Sequence, residues 1–96
     1  MKNNFFIFHL IVNNDVYMPD NGYECYYAFV IISTNEESAR HMAQLNGGEE
    51  ADDYLDLNNK RHKCPFWTDK SKTSCMKCGE SYIKEEMILE SSFNSG

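Results

Sequence analysis

Two stretches of the chain are apolar at both odd and even positions: residues 5–12, FFIFHLIV, and residues 26–32, YYAFVII. Runs this short and this rich in aromatic and β-branched side chains predict strands. Because neither parity is polar, each strand should be covered on both faces and lie centrally in its sheet. Asn21-Gly22 between them is the favoured pair for a tight hairpin turn, so the two strands are expected to pair antiparallel. After Ile32 the period changes. Ser33 and Thr34 can stop the strand and offer hydroxyls to free N–H groups, with Glu36 and Glu37 as the acidic partners of a capping box. Ala39, Met42 and Ala43 then fall at i, i+3, i+4, with Leu45 beside them, and Gly47-Gly48 supplies a permissive stop. The pattern predicts a helix from Asn35 to Asn46 whose small side chains let it sit close on the sheet.

The next segment, EEADDYLDLNN at residues 49–59, is acidic, and with Ala51, Tyr54 and Leu55 at helical spacing it reads as a short second helix or a solvated loop. Lys60-Arg61-His62-Lys63 then reverses the sign locally. Strand-like patterning returns from Ser74, SCMKCGESYI, and again at Met87-Ile88-Leu89 after a polar turn at residues 84–86. The order β-β-α-β-β predicts a single α+β domain: an antiparallel sheet of about four strands with one main helix packed on one face. One slender helix covers one face only. The other face, apolar by the same parity argument, calls for the C-terminal third of the chain or a second copy, and a homo-oligomer is expected.

At 96 residues the chain can bury only a modest core. Its charge of −6 argues against sequence-independent nucleic-acid binding, which needs a surplus of Lys and Arg to displace counterions. An acidic surface suits a basic protein partner or serves solubility. Met1-Lys2 and the apolar run that follows have the outline of a signal peptide. That run, however, carries His9, ends in Asn13-Asn14-Asp15 and offers no small-residue cleavage site, so it is expected to be a strand of a cytoplasmic protein with no membrane span. In that compartment Cys25, Cys64, Cys75 and Cys78 are thiols or ligands sooner than disulfides.

Three constellations could carry chemistry. His62-x-Cys64 followed by Cys75-x-x-Cys78-Gly79 could close a tetrahedral zinc site, the Cys-x-x-Cys-Gly turn being the stronger half. The alternative needs no cofactor: Cys75 and Cys78 are then small apolar residues of a strand and Cys64 a loop thiol. A cysteine nucleophile would need a neighbouring base, and His9, His41 and His62 lie in no recognisable catalytic motif, so a non-enzymatic protein is expected. Trp67 and Asp69 form the third candidate, an aromatic face with a carboxylate two residues on, near the basic cluster around Arg61 that could hold an anionic group. Such a set can hold a small nucleotide-like ligand. Equally, Trp67 can cap the core and Asp69 open a turn.

Asn21-Gly22-Tyr23, Tyr26, the apolar strand 28–32, Glu36-Glu37-Ser38-Ala39-Arg40, Trp67, Gly79 and the terminal Ser92-Phe93-Asn94-Ser95-Gly96 occur together in this order. In this the chain resembles a family of small bacteriophage and prophage proteins, outside residues 51–63. The resemblance implies a fold and a setting in the bacterial host more than a chemistry. It adds Arg40, Phe93 and Asn94 to Trp67, Asp69 and Arg61 as candidate ligand- or partner-binding residues. A fixed tail should be strand-paired or docked, and the alternative is that Phe93 closes the core with the last residues loose. The function expected is that of a phage accessory protein that blocks a host defence component by binding a host protein or sequestering a small signalling nucleotide. A zinc-stabilised interaction module is the competing expectation.

Overall fold

A computed structural model describes residues 4–14, 25–51, 54–55, 57–58, 61–62 and 65–94. Strands β1 (Phe6–Val12) and β2 (Cys25–Ser33) lead into helix α1 (Glu36–Leu45). A 3₁₀ turn (Glu49–Ala51) and two short strands, β3 (Tyr54–Leu55) and β4 (Arg61–His62), precede β5 (Thr73–Glu80) and β6 (Met87–Asn94). The main sheet is antiparallel with order β5-β1-β2-β6, and β3 pairs with β4 in a separate small ladder. The two doubly apolar runs are therefore the central strands, and α1 packs on one face of this α+β fold. Residues 49–59, expected as a short second helix or a solvated loop, hold among their described residues the 3₁₀ turn and β3, which pairs with β4 beyond them. Asn21-Gly22 lies outside the described residues. Among the described residues no helix is long and apolar enough to cross a membrane.

The register sorts the side chains into two faces. On the helix side, Cys75, Leu10, Phe29 and Ser91 form one cross-strand row and Lys77, Phe8, Ile31 and Ile88 the next. Leu10, Phe29 and Ile31 are fully buried there, together with Ala39 and Ala43 of α1 and Trp67 from the segment before β5. On the other side the rows read Ser74-Ile11-Ala28-Ser92, Met76-His9-Val30-Glu90 and Gly79-Ile7-Ile32-Met87. The C-terminal third widens the sheet at both edges, and in these rows Ile32 is fully buried while Ile11 and Met76 stay exposed.

Three bulges accommodate the sheet's twist. Cys78 is the extra residue of β5 opposite Ile7-Phe8, Tyr27 that of β2 opposite Phe93-Ser92, and Leu89 that of β6 opposite Ile31-Val30. The first is followed by Gly79 at φ 152, a backbone conformation that favours glycine. The second turns Tyr26 onto the helix side, where it stacks on Phe29 at 5.0 Å and meets Phe93 at 4.6 Å between centroids.

Helix α1 starts as predicted, but its cap is Asn35, whose Oδ1 accepts from the Ser38 N–H at 2.8 Å, not Ser33 or Thr34. Ser33 is instead a buried strand residue whose Oγ donates to Glu86 Oε1. Leu45 is exposed, and the only fully buried apolar side chains of α1 are Ala39 and Ala43. At about 0.8 kcal/mol per buried methyl-sized group, two alanines give the helix little apolar adhesion. A polar stripe at i, i+4, i+8 completes it: Glu36, Arg40 and Gln44. The helix ends at Asn46, and Gly47 follows for a steric reason. A Cβ there would overlap the Glu50 carboxylate and come within 2.9 Å of Ala51 Cβ.

Candidate functional site

Trp67 sits at the centre of a network that the polar stripe of α1 creates. Gln44 Oε1 accepts from the backbone N–H groups of Phe66 and Trp67, at 3.0 and 2.9 Å. Arg40 Nη1 donates to the Trp67 carbonyl at 2.9 Å, so the peptide on both sides of Trp67 is held by side chains one helical turn apart. The indole Nε1–H donates at 2.8 Å to Oε2 of Glu50, a buried carboxylate that also accepts from the N–H groups of Tyr26 (2.8 Å) and Gly48 (3.0 Å). Phe29 and Phe66 meet the ring edge-on at 4.9 and 5.5 Å.

With no exposed surface and both aromatic neighbours in place, the Trp67 ring closes the core. This corrects its assignment as a stacking platform for a ligand. Arg40 is corrected likewise. It is buried, donating from Nε to Glu36 at 2.7 Å, from Nη1 also to Thr73 Oγ1 at 2.8 Å, and from Nη2 to the Thr73 carbonyl at 3.3 Å. Asp69 opens a turn, its Oδ1 accepting from the Ser71 N–H at 2.9 Å and the Ser71 hydroxyl at 2.6 Å. These two bonds, the hydroxyl's first, hold the carboxyl below its ordinary range, with smaller help from Lys72 and Arg40. Of the two readings of Trp67 and Asp69, core cap and turn opener are what the geometry shows.

Arg61 and His62 contribute the backbone of β4, and their side chains, like that of Asn94 and the whole of Cys64, lie outside the described residues. Cys75-x-x-Cys78-Gly79 is a bulged strand and not a ligand-presenting turn. Cys75 lies half-buried on the helix side, where burial pushes its thiol up to about 11, with Glu36 and Cys78 adding and Arg40 opposing. Cys78 is exposed at the sheet edge. Among the described residues no three His, Cys, Asp or Glu side chains stand together as a metal site. The tail is strand-paired through Asn94 opposite Cys25, and Phe93, 45% exposed, leans on Tyr26.

The second face of the sheet is where the structure offers a surface. Ile7, His9, Ala28 and Val30 are only half-buried there, and Ile11 and Met76 are 47% and 66% exposed. Ser74, Ser92 and Glu90 flank this apolar centre on the edge strands. Ala28, a small residue beside Ile11 and Val30, leaves a shallow depression of about 290 Å³ lined by His9, Ala28, Val30, Glu90 and Ser92. Sequence reasoning passed over this set. Its one signal is an alanine inside a run of large side chains, facing a serine whose pairing partner only the register reveals. No family model, curated protein or solved structure matches the chain.

Proposed function

We propose that this is a non-enzymatic phage accessory protein that binds a host defence protein in the bacterial cytoplasm and blocks it through the second face of the sheet. The observation that carries the reading is that face itself: an apolar centre built from Ile7, Ile11, Val30 and Met76, with polar residues on both edge strands. Such an arrangement, apolar within and polar at the rim, is that of a protein-binding patch. The net charge of −6 favours a basic partner.

A protein target is preferred to a signalling nucleotide because the aromatic ring that would stack a base is fully buried. The depression is shallow, and its volume of about 290 Å³ falls just below the ~300–1,000 Å³ of sites that enclose small molecules. The same face is where a second copy would sit in a homo-oligomer. Size-exclusion chromatography with light scattering separates that state from a monomer.

The reading is tested in bacteria carrying a defence system, infected by a phage that the system restricts. Expression of the protein should restore plaquing on the host whose defence it blocks, and the Ile11→Asp/Met76→Asp variant should not. Restoration by the folded double variant at the level of the parent chain would place the function on another surface and refute the proposal.

A further inference from the structure

We infer that the depression at Ala28 is a socket for an arginine side chain of the protein partner, an assignment that rests on the binding face proposed above and names its anchor. The shape comes from side-chain size. Ala28 lies directly between Ile11 and Ser92 in its row, and His9, Val30 and Glu90 of the neighbouring row line the depression beside it, so the floor at Ala28 is short and apolar with longer side chains on one side. A flexible apolar stem fits that floor, as the methylenes of arginine do when its head group reaches a polar rim.

The rim selects the head group. Glu90 is exposed at the β6 wall of the depression and is the one carboxylate among the residues of the three cross-strand rows, which contain no Lys or Arg. A planar guanidinium can take both oxygens of such a carboxylate and lie against a flat ring. His9 supplies that ring from β1 on the opposite wall, and Ser92 adds a hydroxyl acceptor. A lysine ammonium would use the carboxylate alone. A large apolar side chain would strand the carboxylate against carbon and lose its hydration. At about 290 Å³ the space suits one long side chain sooner than a helix face or a whole ligand.

The probe is N-acetyl-arginine amide, titrated into the isotopically labelled chain and followed by amide chemical shifts, with the uncharged isostere N-acetyl-citrulline amide in parallel. Saturable shifts should concentrate at residues 9, 28–30 and 90–92 and be about threefold weaker or more with citrulline, the scale of one exposed ion pair. Glu90→Gln should weaken arginine binding by a similar factor, and Ala28→Leu, which fills the depression from a solvent-facing position, should abolish it. Shifts scattered over the acidic surface, equal responses to the two probes, or full binding by Glu90→Gln would overturn the socket. Concentration-dependent shifts at the same amides without any probe would overturn it too, by placing a second copy there. If the socket fails while Ile11→Asp/Met76→Asp still abolishes blocking, the binding face stands without this anchor. If arginine binds but the double variant still blocks, the socket stands and the function lies elsewhere.

Discussion

Replacing Arg40 by leucine removes a guanidinium that ties α1 to the segment before β5, and the cost follows from its four contacts. The bond from Nε to Glu36 is short at 2.7 Å, but the Glu36 side chain is 40% exposed, so this i, i+4 pair contributes about 0.5 kcal/mol. The bonds from Nη1 to the Trp67 carbonyl and Thr73 Oγ1, at 2.9 and 2.8 Å, are buried and charge-assisted, worth about 1.5 kcal/mol each. The contact from Nη2 to the Thr73 carbonyl is long at 3.3 Å and adds little. Thr73 Oγ1 stays within 3.2 Å of the Trp67 carbonyl and keeps that oxygen partnered in the variant, which limits the loss. The expected destabilisation is about 3 kcal/mol, a large fraction of the ~5–15 kcal/mol that holds a domain together. In a chain of this size it lowers Tm by roughly 12–24 °C. Arg40→Lys should cost about half as much, because an ammonium reaches one or two of these oxygens, and Glu36→Gln about 0.5 kcal/mol. Urea denaturation of the parent and the three variants measures this. A loss below about 1 kcal/mol for Arg40→Leu at an unchanged m-value would refute the clamp and return Arg40 to the list of candidate binding residues.

Four further outcomes follow from the same structure. The single tryptophan should emit with the blue shift of an apolar setting and resist acrylamide. Glu50→Gln should cost about 1–3 kcal/mol, since one amide N–H would face the donors of Tyr26, Gly48 or Trp67; red-shifted, quenchable emission in the parent would contradict the burial. Gly47→Ala should destabilise by about 1–3 kcal/mol through overlap with Glu50 and Ala51, and a neutral result in urea would show that the turn gives way. Well below pH 9 the Cys75 thiol is protonated in both the folded and the unfolded chain. Between its ordinary value of 9.0 and its folded value of about 11 the unfolded chain sheds the proton first, so stability falls as pH rises through that window. The loss should be about 1 kcal/mol after allowance for the half-exposed site, and Cys75→Ala should flatten it; parallel pH profiles for the two proteins would count against the burial effect.

The local pattern carried much of the architecture. Two runs apolar at both parities could only be central strands, and the spacing of Ala39, Met42 and Ala43 with acidic residues ahead of it marked one helix, because side-chain period is a property of the backbone alone. Hydrophobic pattern also indicated that one face of the sheet would lack a cover from α1. Trp67, Asp69 and Arg40 were visible as unusual residues, but whether an aromatic stacks a ligand or closes a core depends on what stands opposite it. Those neighbours, Phe29, Gln44 and Glu50, are 17 to 38 positions away in sequence. Glu50 read as one more charge in an acidic run, and only folding brings it under the indole with three N–H donors around it. The depression at Ala28 is a tertiary product in the same sense. Strand register, including the bulges at Tyr27 and Leu89, decides that Ser92 and Glu90 border Ala28 and Val30, and a slip of one residue would place other side chains on its rim.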